Sequence, residues 1–244
     1  MVHEKIMESS KTPPYFYRVD KTSGLLRSIE TEFISIRNET KAPEMERYLR
    51  NQFKCYGISA LLRKPITQKV SAPFKSLPAQ EQDRFMRICW EKDQREWQYL
   101  AIDLYRKALS KSSVSRIEMT LDLIQHKSWW DTVDSLASNC FGKLLMMFPD
   151  EKEEFLQRCI NSDYMWLNRT AIIHQLTYKQ HTDTEWLIKS ILPHINSKDF
   201  FIQKGIGWAL RQYAKTDSNW VVSFVENHTC LSNLSKKEAL KHIN

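Results

Sequence analysis

Apolar side chains recur every three or four positions along most of the chain, which is the spacing that places them on one face of an α-helix. Residues 25–37 show it first, with Leu25, Ile29, Phe33 and Ile36 on a common face. No segment alternates apolar and polar residues for long enough to predict a β-strand. The pattern therefore predicts an all-α protein.

Caps and breaks divide this pattern into helices joined by short connections. Pro43 suits the first turn of a helix whose buried stripe is Met45, Leu49 and Phe53. Ser59 is a candidate cap for the next helix, which we expect to reach about residue 70. The remaining predicted helices span 81–90, 94–109, 114–124, 132–148, 151–159, 165–178, 184–191, 200–214, 220–226 and 236–243. Short connections are typical of antiparallel helix pairs.

An internal repeat relates the later helices to one another. Similar segments carry a small residue at Ala101, Ala171, Gly205 and Ala239, and Leu136 fills the position where a further copy is due. A period of 34 to 35 residues built from two helices is typical of a helical solenoid. It matches the tetratricopeptide length without that repeat's characteristic residues, and it is somewhat shorter than the usual HEAT unit.

A polar column accompanies the small residues, two places before each of them. Its members are Tyr99, Asp134, Arg169, Gln203 and Lys237. Two residues correspond to about 200° around a helix, so this column faces away from the packing residue. We expect it to form a line on one surface of the stack. The alternative is that these are ordinary solvated positions of amphipathic helices.

The segment containing Trp129, Trp130, Asp131 and Asp134 concentrates aromatic and acidic side chains in the middle of the chain. Trp130 and Asp134 stand four residues apart, so on a helix an indole lies beside a carboxylate. Asp131 is the rival for any carboxylate role, although capping of the helix start suits it better. Trp129 is expected to pack in the core.

The charge balance favours a polyanionic partner. The chain has 36 Lys and Arg against 29 Asp and Glu, a net charge of +7, and a pI of about 9.1. Lys204, Trp208, Arg211 and Lys215 form a stripe on one helix face, and cations interrupted by a ring suit nucleic acid. A basic but otherwise unspecialised surface, with Trp208 in the core, is the alternative interpretation.

Other classes of site and location are disfavoured. The five cysteines contain no C-x-x-C pair and the histidines no metal-ligand spacing, so we expect reduced thiols and no metal site. No nucleotide-binding glycine motif or nucleophile elbow occurs, and we expect no cofactor. No apolar run approaches the roughly 20 residues that span a bilayer. Residues 1–22 read as a polar tail without a secretion signal, preceding a single domain at 23–244 in a cytoplasmic protein.

Four runs of the chain closely resemble the AlkD family of bacterial DNA alkylation-repair glycosylases. They are KSWWDTVDS at 127–135, WLNRTAI at 166–172, FFIQKGIGW at 200–208 and LSKKEA at 234–239. The likeness extends from about Leu25 to the end of the chain and is strongest after Lys127. Several separated motifs in the same order make the resemblance specific. One departure is Ser59, where close relatives often carry Gln, and it shortens the reach of that side chain.

The resemblance implies a C-shaped, right-handed superhelix of HEAT-like repeats with a basic concave groove that grips duplex DNA. Its implied activity is hydrolysis of the N-glycosidic bond of cationic N3- or N7-alkylated purines. An elongated monomer, associated with the nucleoid when bound to DNA, is the simplest expectation for the state of the protein. By motif, Asp134 would be the catalytic carboxylate, Trp130 and Trp208 would line the lesion's sugar, and Arg169 would hold the DNA backbone. Tyr48 would be a further aromatic lining the cleft.

We also expect four cationic residues to bind DNA; they are Lys204, Arg211, Lys215 and Lys237.

Two other functions remain open at this point. One is a HEAT-like protein that recognises DNA structure without cutting it, and the other is a protein–protein scaffold, the common use of helical solenoids. A scaffold predicts a groove of hydrophobic or mixed character, whereas the sequence predicts a basic aromatic one.

Overall fold

The computed structural model describes residues 21–243, and these residues form fourteen α-helices. In chain order they are α1 (Lys21–Ile36), α2 (Ala42–Tyr48), α3 (Ala60–Lys75), α4 (Ala79–Glu91), α5 (Glu96–Ala108), α6 (Ser115–Gln125), α7 (Trp130–Leu136), α8 (Gly142–Met147), α9 (Lys152–Ile160), α10 (Met165–Ile173), α11 (Thr184–Ile191), α12 (Phe200–Ala214), α13 (Ser218–Asn227) and α14 (Asn233–Ala239). Within the described range no strand forms beyond one isolated bridge between Lys54 and Gln94. The all-α prediction is confirmed. The predicted tail at 1–22 lies almost entirely outside the described residues.

Side chains cap five of these helices at their N-terminal ends. In each case a hydroxyl or carboxylate oxygen accepts a hydrogen bond from a backbone N–H of the first turn, which satisfies a donor that the helix leaves free. The capping residues are Ser59, Asp183, Asp199, Asp217 and Ser232. The sequence predicted the first of them, and it predicted the bounds of α11 and α12 to the residue.

Two predicted helices have different ends in the structure. The helix that starts near Pro43 ends at Tyr48, because Arg50 and Asn51 adopt left-handed backbone angles; Phe53 is therefore not part of its stripe. Helix α3 continues beyond residue 70 to Lys75 although it contains Pro65 and Pro73. Both prolines lie on the exposed side, where water can solvate the carbonyl groups that lose their helical partners.

Helices α10 and α14 also depart from the predicted bounds. Helix α10 ends at Ile173, and separate turns replace the predicted continuation to residue 178. There the Tyr178 hydroxyl donates to the carbonyl of Gly142, which ties the turns to α8. Helix α14 begins earlier than predicted because Ser232 caps it at its start, and it ends at Ala239.

The second helices of the repeat pack in sequence, with α5 against α7, α7 against α10, α10 against α12, and α12 against α14. All five residues at the small-residue position are buried; they are Ala101, Leu136, Ala171, Gly205 and Ala239. Within the polar column, Asp134 of α7 and Arg169 of α10 lie side by side and form an ion pair. The handedness of a superhelix and a basic concave groove stay predictions.

Candidate active site

A cleft with a volume of about 420 Å³ lies between α7 and α12. Its lining residues are Trp130, Asp131, Asp134, Ser135, Ser138, Asn139, Leu176, Thr177, Trp208 and Gln212. Three residues singled out by sequence, Trp130, Asp134 and Trp208, therefore share one cleft. Trp208 is partly buried against the C-terminal core and also lines the cleft, and its role in binding nucleic acid stays a prediction.

Asp134 is held by a two-pronged ion pair with Arg169. The Arg169 Nε lies 2.7 Å from Asp134 Oδ1, and its Nη2 lies 2.8 Å from Oδ2. The remaining guanidinium nitrogen, Nη1, donates to the carbonyl of Phe201. Arg169 is thus fixed between α7 and α12, and a two-point contact of this kind sets the orientation of the carboxylate.

Gly205 provides the space that Arg169 occupies. A Cβ added to Gly205 would lie 3.0 Å from Arg169 Nη1, which is closer than side chains ordinarily pack. The small residue that the repeat places at this position therefore faces the guanidinium. Because Gly205 has no side chain, Arg169 has room to hold Asp134 in position.

Burial raises the pKa of Asp134 above its ordinary value, and the neighbouring Asp131 acts in the same direction. The hydrogen bonds and charge of Arg169 oppose this effect by favouring the ionised carboxylate. The side chain is 15% exposed, and it opens onto the cleft. A carboxylate in this partly desolvated position interacts more strongly with a nearby positive charge than it would in water.

Aromatic rings line the cleft onto which the carboxylate opens. Tyr48, at the end of α2, is 70% exposed and packs edge-on against Trp130 with ring centroids 5.4 Å apart. The structure therefore brings an N-terminal residue, predicted from a separate motif, to the same site as Trp130. Trp129 packs against Trp166 and Phe201, and it lies partly buried against the core, as a packing residue does.

Asp131 has a different set of partners from Asp134. Arg95, which is fully buried, donates to both of its carboxylate oxygens at 2.9 and 2.7 Å, and the Tyr99 hydroxyl adds a third bond at 2.5 Å. Asp131 lies in the first turn of α7, where a negative charge suits the helix start, but its oxygens accept from Arg95 and Tyr99 and no capping hydrogen bond to a backbone N–H is formed. Asp131 instead joins α7 to α5, and at 7% exposure it faces the cleft less than Asp134 does.

The predicted cationic stripe is partly neutralised. Lys204 Nζ lies 2.9 Å from Glu238 Oε1, and Arg211 donates to the other oxygen of the same carboxylate. Lys215 is exposed and donates to Gln212, while Lys237 is exposed on α14. Sequence reasoning missed Glu238, although it directly follows a member of the polar column.

Sequence reasoning also missed the polar floor of the cleft. A π-helical turn at Ala137–Phe141 connects α7 to α8, and the Ser138 hydroxyl within it donates to the carbonyl of Asp134 at 2.7 Å. Asn139 and Thr177 hydrogen-bond to Ser138 in turn. Such turns occur frequently at functional sites. They have no residue signature, so the sequence offered no signal for this one.

Outside the cleft, the side chains of His174 and the cysteines are mostly buried, and none of them is part of a metal-binding cluster within the described residues. His174 is buried, and burial lowers its pKa to about 4, so the imidazole is neutral near pH 7. Across residues 21–243 no cluster of His, Cys, Asp or Glu is suited to hold a metal ion. The five cysteines are free thiols and four of them are buried. None of the described helices has the length and apolarity needed to cross a bilayer.

Comparisons with known proteins show which family this chain belongs to. A family model described as a DNA alkylation repair enzyme matches residues 29–243. A solved structure titled as a predicted DNA alkylation repair enzyme from Enterococcus faecalis is 29% identical, covers 85% of this chain and 96% of its own, and superimposes with a TM-score of 0.80. A search of curated proteins found no match. The chain therefore belongs to the family of DNA alkylation repair enzymes.

Proposed function

We propose that this protein is a monofunctional DNA glycosylase that hydrolyses the N-glycosidic bond of positively charged N3- or N7-alkylated purines in duplex DNA. The product would be an abasic site, and 3-methyladenine and 7-methylguanine would be its substrates. The observation that carries the proposal is the cleft that combines Asp134 with the indoles of Trp130 and Trp208. We further propose that it acts as a monomer in the cytoplasm.

The substrate's own chemistry decides what the protein must supply. An alkylated purine already carries a positive charge and leaves without protonation, so no strong general acid is needed. As the bond breaks, positive charge develops on the sugar in an oxocarbenium-like transition state. A carboxylate near the anomeric carbon stabilises that charge and can orient the attacking water, as in glycoside hydrolysis. Asp134 has the charge and the exposure for both tasks.

The aromatic residues suit the same transition state. The face of an indole attracts a nearby cation, and the attraction grows when water is excluded. Trp130 and Trp208 line the cleft that Asp134 faces, and Tyr48 packs against the first of them. A cationic sugar placed in this cleft would have indole groups and a carboxylate around it.

Arg169 has a different task in this proposal from the one the resemblance implies. Its guanidinium is engaged with Asp134 and with the carbonyl of Phe201, so its donors are directed into the protein. We assign it to holding the carboxylate in position. Contacts to DNA phosphates would fall to exposed cations such as Lys215 and Lys237.

One observation favours a second candidate, a protein that binds DNA structure without cutting it. The Arg95–Asp131 pair joins α5 to α7 much as the Arg169–Asp134 pair joins α7 to α10, so both pairs can be read as connections between successive repeats. In that case Asp134 would be structural. Replacement of Asp134, described in the Discussion, separates the two functions.

The proposed function is tested by comparing the rates at which the protein excises positively charged and neutral bases. Because the site offers no general acid for the leaving base, the protein should excise 7-methylguanine and 3-methyladenine at least about a hundredfold faster than hypoxanthine, which is neutral. Single-turnover release from matched duplexes, each with one lesion, measures this ratio. Efficient excision of hypoxanthine would contradict the mechanism, and release of neither base type would contradict the function.

A further inference from the structure

Glu238 occupies an unusual position for an acidic residue, between two cations of the predicted DNA-binding stripe. It lies on α14, and its carboxylate bridges Lys204 and Arg211 of α12. Those two residues flank Trp208 along one helix face, four positions before it and three after it. Glu238 therefore spans the segment of α12 that presents this indole to the cleft.

The approach of the two helices is built into the sequence. A Cβ added to Gly207 would lie 2.5 Å from the Glu238 Cβ and 2.8 Å from the Ser235 carbonyl oxygen, so a larger residue at 207 would push α14 away. The Ser235 hydroxyl also donates to the carbonyl of Gln203, which fixes α14 against α12 at the same level. The carboxylate is therefore held beside both cations by the packing of the backbone.

The Glu238 carboxylate cancels part of the positive charge of Lys204 and Arg211. Lys204 and Arg211 together carry two positive charges, and the carboxylate between them leaves a local net charge of one. The same cations hold the pKa of Glu238 below its ordinary value, which keeps it ionised across the neutral range. At 15% exposure the carboxylate is shielded from solvent, so counterions screen it less than an exposed group.

We propose that Glu238 tunes the DNA-binding surface by ordering Lys204 and Arg211 beside Trp208 while cancelling one of their two charges, which keeps the attraction for undamaged duplex DNA weak. The inference rests on the proposed function, because it takes duplex DNA as the ligand. Attraction to phosphates is independent of sequence and damage, so a surplus of it would hold the protein on undamaged DNA. Contacts of Asp134 and Trp130 with a lesion do not depend on this charge.

Replacement of Glu238 by Gln removes the charge and keeps the size and the accepting oxygen. We expect E238Q to bind an undamaged duplex about tenfold more tightly at 50 mM NaCl, and the slope of log Kd against log salt to steepen by about 0.9. Fluorescence anisotropy with a labelled undamaged duplex measures both quantities. The exposed Glu226 on α13 provides the matched control, since E226Q makes the same change in net charge at a residue that takes no part in this bridge.

Excision in the presence of competitor supplies the second readout. Excess undamaged DNA should inhibit release of 7-methylguanine by E238Q about tenfold more strongly than by the wild type or E226Q. Equal slopes for E238Q and E226Q, or weaker binding by E238Q, would overturn the inference, and E238A extends the comparison if E238Q is unstable. The salt slopes do not require catalysis, so a wild type that binds DNA without excising a base would contradict the proposed function while leaving this inference standing.

Discussion

Replacement of Asp134 by Asn is expected to slow single-turnover release of 7-methylguanine from methylated duplex DNA by about 10² to 10³. The loss corresponds to roughly 2.7–4 kcal/mol of transition-state stabilisation, the range measured when one preorganised electrostatic group is removed from an active site. Asparagine retains an oxygen that can accept from Arg169 but carries no charge to oppose the developing cation. Binding of undamaged duplex should change little, because phosphate contacts dominate it.

Asp131→Asn is the matched control for this prediction. Asp131 lies three residues away, lines the same cleft and also holds an arginine at two points. Because its partners tie it to α5, its loss should lower the free energy of unfolding without the same loss of single-turnover rate in the folded fraction. Equal rate losses for the two variants, or full activity of D134N, would assign Asp134 a structural role and favour the non-catalytic alternative.

Replacement of Arg169 by Gln is expected to lower the free energy of unfolding and to change its pH dependence. Removing one partner of a buried ion pair typically costs about 3–5 kcal/mol, because the other charge is left buried without compensation. Arg158→Gln is a suitable control, since it breaks a two-point pair with Glu118 that is almost half exposed and is expected to cost about 0–1 kcal/mol. Urea unfolding of both variants measures the difference.

The direction of the pH effect follows from the pKa of Asp134. Burial raises this pKa and Arg169 opposes the rise, so the R169Q variant should raise it further. The folded variant then binds a proton more tightly than the unfolded chain, whose Asp pKa is about 3.9. The contribution of this carboxyl group to stability is therefore largest below about 3.9 and is lost as the pH rises through the pKa of the folded state. The acidic limb of its rate profile should shift to higher pH, and an unshifted limb would contradict an ionised Asp134 in catalysis.

Much of the fold follows from local patterns that the sequence displays directly. The 3.6-residue spacing of apolar side chains marks the helices, and a capping residue such as Ser59 before Ala60 marks where one begins. The repeat also sorted Asp134 and Arg169 into one column, and the structure pairs them with each other. Spacing of this kind is informative because each repeat places equivalent residues at equivalent heights.

The features that the sequence did not predict depend on contacts between distant segments. The packing of α7, α10 and α12 determines which groups Arg169 hydrogen-bonds to. The polar column predicted only which helix face its residues share, not the hydrogen bonds that they form. The bridge from Glu238 to Lys204 and Arg211 arises because Gly207 lets α14 approach closely. Helix α2 ends early because Arg50 and Asn51 adopt left-handed backbone angles. Neither residue is a glycine, so the sequence gives no sign of this conformation.

The most direct test of the proposed reaction is the identity of its products. Wild-type protein is incubated with an end-labelled duplex that carries one 7-methylguanine, and the released material and the strand are analysed separately. The proposal predicts free 7-methylguanine, together with a full-length strand that breaks at the lesion position only after alkaline heating. Recovery of unmodified guanine within an intact strand, or cleavage of the strand without heating, would contradict a monofunctional glycosylase.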